Sequence, residues 1–217
     1  MSADASPAAS ESTARKVSRQ GILFVVSAPS GAGKSTLCTA LRTTKDFVYS
    51  VSCTTRPPRP GETHGEDYHF LTHEEFQAYI AADGFLEYAE VHGNYYGTLR
   101  ENVLVHLRVG VDVLIDIDTQ GAGKIRASTD ATIQGALADV FIMPPDLGEL
   151  RRRLVKRGTE TPEQIDRRIA NASGEMARWR DYRYTIISGS VEEDLAKFRA
   201  IMRAERYLSR RFGELSF

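Results

Sequence analysis

Short apolar runs alternate with longer amphipathic stretches along the chain from residue 21 onward. The apolar runs, which are typical of buried strands, lie at 22–26, 47–51, 111–117, 138–143 and 184–188. The amphipathic stretches, which have helical periodicity, lie at about 34–44, 98–109, 119–127, 146–157, 161–180 and 191–211. Strands that alternate with helices predict an α/β fold, in which helices cover both faces of a parallel sheet.

Residues 52–97 interrupt this rhythm with prolines, glycines and tyrosines, and they predict an inserted lobe of short strands with one helix at 74–82. A second unusual segment, at about 151–168, is rich in arginine and predicts a short lid. The predicted organisation is therefore a disordered tail (1–20), a core (21–51 and 98–205) that carries the lid, the inserted lobe (52–97) and an extension of the last helix (206–217).

A glycine-rich turn follows the first apolar run and precedes the first amphipathic stretch. It predicts a phosphate-binding P-loop whose residues are Ala28, Pro29, Ser30, Gly31, Ala32, Gly33, Lys34, Ser35 and Thr36. Glycines let consecutive backbone N–H groups converge on an anion, and the helix that starts there adds partial positive charge. Lys34 can reach the β- and γ-phosphates of ATP, and the Ser35 hydroxyl can ligate Mg²⁺. Ala28 replaces the usual first glycine, but the stretch from Ser30 to Lys34 is intact.

The sequence Asp116-Ile117-Asp118 closes the third apolar run. Ligands of parallel sheets gather at the carboxyl ends of strands, so these carboxylates are expected beside the P-loop.

Composition excludes several functional classes. The chain has 217 residues, with 41% hydrophobic and 26% charged residues and a net charge of −1, which is ordinary for a globular protein and gives no general attraction to nucleic acid. No apolar run is long enough to span a membrane, so no membrane partner is expected. Two isolated cysteines, Cys38 and Cys53, predict reduced packed thiols in a cytoplasmic protein. Arg15, Lys16 and Arg19 leave a transit peptide open as an alternative for the tail.

Two arginines three residues apart, Arg56 and Arg59, lie between prolines and ahead of Tyr68. Guanidinium groups grip phosphate oxygens in pairs, and a tyrosine hydroxyl adds one more hydrogen bond, so the segment suits a phosphate monoester. Taken alone, the segment is equally compatible with a solvated loop.

The segment from Thr55 to Phe70 closely resembles the signature of guanylate kinases. Further matching stretches follow in the family's order at Phe85–Ala89, Gly93–Thr98, Val113–Asp118 with Gln120-Gly121, and Arg157–Glu160. The resemblance covers roughly residues 21–205. It implies a P-loop kinase fold that transfers the terminal phosphoryl group of ATP to GMP, with Mg²⁺ as the cofactor.

The resemblance also implies roles for individual residues. The GMP phosphate would be held by Arg56, Arg59, Tyr68 and Tyr96. Guanine would be contacted by Ser52, Glu87, Thr98 and Asp118. The metal would be held by Ser35 and, through water, by Asp116. The expected catalytic residues are Lys34, Arg56, Arg153, Arg157 and Arg168, of which the last three belong to the lid.

One stretch departs from the family. Many guanylate kinases have an Asn-Asp pair after the last strand, near the adenine of ATP, whereas this chain has Ser188-Gly189-Ser190. Weaker discrimination among donor nucleotides is therefore expected.

The sequence predicts an ATP:GMP phosphotransferase of purine nucleotide metabolism that acts as a monomer or small homo-oligomer. Three alternatives stay open here: a non-catalytic guanylate-kinase-like binding module, a related P-loop kinase of another phosphorylated acceptor, and a bare nucleotide hydrolase. Retention of Lys34 and Ser35 argues against the first, and the complete guanine-contacting set argues against the second. The dedicated acceptor lobe argues against the third.

Overall fold

The structure is a computed structural model that describes residues 18–91, 93–158 and 160–213. Its strands are β1 (Leu23–Ser27), β2 (Val48–Tyr49), β3 (Cys53–Thr54), β4 (His69–Phe70), β5 (Phe85–Val91), β6 (Asn94–Leu99), β7 (Val113–Asp116), β8 (Leu137–Met143) and β9 (Tyr184–Ile187). Its α-helices are α1 (Lys34–Arg42), α2 (His73–Ala81), α3 (Arg100–Arg108), α4 (Thr119–Arg126), α5 (Ala131–Ala136), α6 (Leu147–Arg157), α7 (Pro162–Met176) and α8 (Val191–Arg206). Short 3₁₀ turns lie at Ala177–Asp181 and Ser209–Arg211.

The core sheet has five parallel strands in the order β2-β7-β1-β8-β9. The central strand β1 is apolar and fully buried, as a strand covered on both faces should be. Helices cover both faces, and the predicted fold class is confirmed. All five strands end at the same edge, where β1 leads into the P-loop and β7 ends at Asp116.

Two apolar clusters fill the space between the sheet and its helices. On one face, α1 and α8 bury Leu37, Leu41 and Phe198 against alternate residues of β1. On the other face, α3, α4 and α5 contribute a second cluster whose members include Val103 and Ile125. The P-loop is therefore carried between a buried strand and a helix that is packed along its length.

The inserted lobe contains a four-stranded sheet in the order β4-β3-β6-β5, with α2 packed against it. Phe76 of α2 is fully buried and stacks on Phe85 and Tyr95, with ring centroids 4.3 and 5.2 Å apart. Thr72 begins α2 with a reciprocal capping box to Glu75. The lobe thus has an aromatic core of its own, which supports the two strands that line the site.

Several element boundaries differ from the sequence prediction. Helix α5 was not predicted, because it spans six residues, too few for a periodic pattern. The long stretch at 161–180 is a helix only to Met176 and continues as a 3₁₀ turn. The two arginine-bearing helices, α6 and α7, extend beyond the predicted lid at both ends.

The two ends of the described chain lie together. Gln20 donates its backbone N–H to the Arg211 carbonyl at 3.0 Å, and Arg19 pairs with buried Asp112 at 2.6 Å. These contacts hold residues 18–20 against the core, although the sequence analysis assigned them to the disordered tail. The rest of the predicted tail, residues 1–17, lies outside the described part. The last helix ends at Arg206 instead of extending onward, because Arg211 turns back to bond buried Glu205. Residues 214–217 also lie outside the described part.

Among the residues that the structure describes, no helix is both long and apolar enough to cross a bilayer. Cys38 and Cys53 are free and buried, as predicted. Burial raises the pKa of the Cys53 thiol to about 12, and it also raises the pKa of Cys38.

Candidate active site

The P-loop turns sharply between β1 and α1. Gly31 and Gly33 have φ values of 88° and 105°, in the left-handed region that glycine occupies without strain. Gly31 also lies close to the lid, since a Cβ there would meet Leu154 Cδ2 of α6 at 2.7 Å. Lys34, the first residue of α1, donates from Nζ to the carbonyl of Ile117 at 3.2 Å. The loop therefore contacts both the lid and the end of β7.

A cavity of about 860 Å³ opens on the loop; we call it the P-loop cavity. Its lining includes every predicted ATP-binding residue except Ala32, namely Ala28, Pro29, Ser30, Gly31, Gly33, Lys34, Ser35 and Thr36. Ala32 is fully buried beneath the loop. Arg153 and Arg157 of α6 line the cavity from above, and Ser188 and Gly189 line it from the end of β9.

Two lid arginines contact the P-loop directly. The Arg153 guanidinium donates to the Ala32 carbonyl at 3.1 Å, to Ser188 Oγ at 2.8 Å and to the Ser188 carbonyl at 3.2 Å. Arg168 of α7 bonds Ser30 Oγ and forms an ion pair with Glu160 at 3.0 Å. The lid helices hold each other through the apolar cluster of Leu150, Leu154, Ile165 and Ala172. The lid thus presents fixed positive charge above the P-loop.

A second cavity, of about 300 Å³, lies between the inserted lobe and the core; we call it the lobe cavity. Its polar lining residues are Lys34, Ser35, Ser52, Tyr68, Glu87, Tyr96, Asp116 and Asp118. Lys34 and Ser35 therefore line both cavities.

Glu87, on β5, is a buried acid with a raised pKa in the lining of the lobe cavity. Its side chain is 7% exposed and accepts a hydrogen bond from Thr98 Oγ1 at 2.8 Å. Burial raises the pKa of Glu87 to about 7, and the nearby charge of Asp118 acts in the same direction. The pKa remains this low partly because Thr98 stabilises the ionised carboxylate. Glu87 is thus a hydrogen-bond acceptor whose carboxylate, when ionised, carries its negative charge in a buried environment.

Arg56 lies next to the lobe cavity, with its guanidinium 5.5 Å from the centre of the Tyr68 ring. It pairs with both carboxylate oxygens of Glu62 at 2.9 Å. Arg59 is exposed in the same loop and does not line the cavity, and its backbone N–H donates to Glu62 at 2.7 Å. Glu62 therefore organises this loop around one acidic side chain.

Comparisons with known proteins point to one family. The family model for guanylate kinase matches residues 20–205. The guanylate kinase of Escherichia coli (strain K12) is 49% identical over 190 residues, which cover 86% of this chain and 89% of that protein. The guanylate kinase of Salmonella paratyphi A is 48% identical over the same shares of both chains. The crystal structure of guanylate kinase from Anaplasma phagocytophilum has a TM-score of 0.73 at 34% identity, covering 90% of this chain and 92% of that one.

This chain belongs to the guanylate kinase family. The resemblance read from the sequence motifs is thereby confirmed. The structure brings most of the residues expected for a guanylate kinase to two adjoining cavities, including five of those expected to contact GMP: Ser52, Tyr68, Glu87, Tyr96 and Asp118. Thr98 lies behind Glu87, and Asp118 also caps α4 by accepting the Gly121 N–H at 2.7 Å. Arg59 is exposed and lines neither cavity.

Sequence reasoning assigned none of the observed contacts to three residues of this guanylate kinase site. A Cβ at Gly121 would lie 2.7 Å from Glu87 Oε2, so Gly121 leaves room for that carboxylate. Ser188 is the partner of Arg153, and Tyr49 donates to Asp116 Oδ1 at 2.7 Å. Two of them lie in stretches that the sequence had marked, Gly121 in a matching motif and Ser188 in the stretch that departs from the family, whereas Tyr49 left no signal.

Proposed function

We propose how the residues of this chain perform the family's reaction. As a guanylate kinase family member, the chain transfers the terminal phosphoryl group of ATP to GMP and yields ADP and GDP. One observation carries the residue assignment: Lys34 and Ser35 line both the P-loop cavity and the lobe cavity. A phosphoryl group bound at these two residues has the donor on one side and the acceptor on the other.

ATP occupies the P-loop cavity in this proposal. The backbone N–H groups of the loop and Lys34 neutralise its phosphates, and Arg153, Arg157 and Arg168 surround the group in transfer. The contacts of Arg153 and Arg168 with the loop support this role, since they hold both guanidinium groups within reach of phosphate. Ser188 and Gly189 occupy the place expected for adenine contacts, and they supply a hydroxyl and backbone groups there.

The site fits a magnesium ion. Ser35 Oγ and the Asp116 carboxylate both line the lobe cavity beside Lys34, and hard oxygen ligands of this type suit Mg²⁺. In the proposal Ser35 would hold the ion directly and Asp116 would hold it through water, and the ion, when bound, would supply positive charge beside the donor phosphates.

GMP occupies the lobe cavity. Tyr68, Tyr96 and Arg56 hold its phosphate, and Arg56 exchanges part of its pairing with Glu62 for phosphate oxygens. Arg59 reaches the phosphate only if the exposed loop closes. The acceptor oxygen is already anionic, so the reaction needs no general base and depends on positioning and electrostatic stabilisation.

Guanine is distinguished from adenine by Glu87. Guanine presents N1–H and the N2 amino group as donors, and an ionised Glu87 accepts both. Adenine has an acceptor at N1 and would leave the buried carboxylate unpaired, which is costly. Ser52, Thr98 and Asp118 complete the site around the base.

The alternatives lack comparable support. A binding module has no need for a lysine and a serine shared between two cavities. A kinase of another acceptor would not need a buried carboxylate at Glu87, and a hydrolase would not need the lobe cavity. We also propose a cytoplasmic location, which the two free buried cysteines support.

Release of ADP from ATP and Mg²⁺ in the presence of GMP tests the proposal. Lys34→Ala should lower turnover more than about a hundredfold, the scale seen when one preorganised donor to the reacting group is removed. Lys45→Ala, at an exposed lysine outside both cavities, is the matched control and should retain full turnover. Normal turnover of a folded Lys34→Ala variant would remove the P-loop from the mechanism.

A further inference from the structure

Tyr49 and Arg42, two residues that the proposed mechanism does not use, lie beside Asp116 at the outer edge of the core sheet. Tyr49 of β2 pairs in register with Leu114 of β7, and Asp116 follows two residues later on the same face of that strand. Arg42 reaches this edge from the last turn of α1. These side chains line a small third cavity, of about 220 Å³, together with Ser35.

Tyr49 is fixed on both sides. Its hydroxyl donates to Asp116 Oδ1 at 2.7 Å, and the Arg42 guanidinium carbon lies 3.6 Å from the centre of its ring. A cation at this distance over an aromatic face is attracted to it and restrains the ring. Arg42 and Ser35 belong to the same helix, α1, so one rigid element carries both the serine and the side chain that restrains the tyrosine.

We propose that Tyr49 is a positioning residue, which holds the Asp116 carboxylate in the orientation that lets it face Ser35 and the magnesium ion of ATP. The proposal rests on the proposed function, in which Ser35 and Asp116 hold that ion.

The physical reason lies in the freedom of an aspartate side chain. Asp116 is half-buried in the lining of the lobe cavity, and an aspartate carboxylate can rotate unless one of its oxygens is held. The Tyr49 hydroxyl holds Oδ1, the buried Cys38 thiol also interacts with this carboxylate, and a water-mediated contact would use the accepting positions that remain. Outer-shell donors of this kind orient metal-binding carboxylates, and their removal weakens metal affinity by about tenfold or more.

The test measures metal binding directly. Mn²⁺ is used in place of Mg²⁺. Electron paramagnetic resonance measures the concentration of free Mn²⁺ in the presence of the protein and a non-hydrolysable ATP analogue. Tyr49→Phe should raise the Mn²⁺ dissociation constant by about tenfold, and it should leave GMP binding to the metal-free protein unchanged. Tyr184→Phe is the matched control. It removes a tyrosine–carboxylate bond of 2.8 Å, to Glu205, at the opposite edge of the sheet, and its Mn²⁺ affinity should equal that of the wild type.

A double-mutant cycle with Asp116→Asn distinguishes the positioning role of Tyr49 from the metal-binding role of Asp116. If Tyr49 acts through Asp116, Tyr49→Phe adds no further loss of Mn²⁺ affinity in the Asp116→Asn background. The same loss in both backgrounds would overturn the positioning role. Unchanged affinity in Tyr49→Phe, with a clear loss in Asp116→Asn, would also overturn it. Unchanged affinity in Asp116→Asn would overturn the proposed metal site and, with it, the role of Tyr49.

Discussion

At the scale of single residues, Glu87 combines two opposed requirements. Its carboxylate is buried, which disfavours the charged form, yet the proposed contact with guanine needs the charged form as a double acceptor. With the pKa of Glu87 raised to about 7, the group is only partly ionised near neutral pH. In this proposal Glu87 provides specificity for guanine and lowers the unfolding free energy of the nucleotide-free protein.

Replacing Glu87 by glutamine should weaken GMP binding. At pH 8 the variant loses hydrogen bonds to a charged acceptor, which corresponds to about 1.5–3 kcal/mol of GMP binding free energy.

In the wild type, affinity for GMP should fall as pH decreases below about 7, because protonated Glu87 no longer accepts both donors. Calorimetric titration of GMP between pH 6 and pH 8 measures both effects. The Glu87→Gln variant corrects for the GMP phosphate, which titrates near pH 6. Identical pH profiles for the two proteins, or unchanged GMP and AMP affinities, would show that Glu87 does not contact guanine.

The same substitution should stabilise the free protein at high pH. The folded-state pKa of Glu87 is raised, so its contribution to stability is fully present below the unfolded-state pKa and is lost as pH rises through about 7. At pH 8 the Glu87→Gln variant should exceed the wild type by about 1–3 kcal/mol of unfolding free energy. At pH 4.5 the difference should vanish. Urea unfolding of the nucleotide-free proteins measures it, and a variant that is less stable at pH 8 would contradict the desolvation argument.

At the scale of elements, the site depends on how closely α4 approaches β5. Gly121 of α4 leaves space for Glu87, whereas Gly123 of the same helix has only the end of the Arg126 side chain nearby, at 3.9 Å. Alanine substitutions at the two glycines can therefore be compared, because Gly121 lies against Glu87 and Gly123 lies at an ordinary position of the same helix.

Gly121→Ala should raise the KM for GMP roughly tenfold, because the new methyl group displaces the Glu87 carboxylate at a cost of about 1–3 kcal/mol. The KM for ATP should stay unchanged. Gly123→Ala should leave both constants unchanged, and it should stabilise the helix slightly. Steady-state kinetics with each substrate varied in turn provides the measurement. Equal GMP constants for the two variants would show that Gly121 does not determine the position of Glu87.

The sequence predicted an element correctly where the residues that determine it are contiguous in the chain. The order of β1, P-loop and α1 follows from an apolar run, two glycines that need positive φ, and a Lys-Ser pair. Helix α5 was missed because it spans six residues. The contact between Tyr49 and Asp116 joins residues 67 positions apart and depends on strand order, which no local pattern encodes. The role of Glu87 came only from the family resemblance, since a lone glutamate has no local signature.

At the scale of the whole molecule, a buried charge network joins the chain ends to the core. Glu205 and Arg211 are almost fully buried and paired, and Arg183, just before the last strand, and Tyr184, its first residue, bond the same carboxylate at 2.9 and 2.8 Å. Arg211 also donates to the carbonyls of Gly135 and Ala136. The C-terminal segment of the described chain is thus fixed to the sheet by residues that line neither cavity.

Arg211→Met should destabilise the protein by about 3–5 kcal/mol, because it removes one partner of a buried ion pair. Urea unfolding should show this loss, while the KM values for ATP and GMP stay unchanged. Arg210→Met, at the exposed neighbouring position, should change stability by less than about 0.5 kcal/mol. Similar stabilities for the two variants would contradict a structural role for the network.

Specific phosphoryl transfer to GMP is tested most directly by ADP release from ATP and Mg²⁺ with GMP, AMP, CMP, UMP and ribose phosphates as separate acceptors. Strong turnover is expected with GMP alone, because the lobe cavity holds one buried carboxylate that suits the donors of guanine. Turnover with a ribose phosphate, or no turnover with GMP in a folded protein that binds it, would contradict the proposed function.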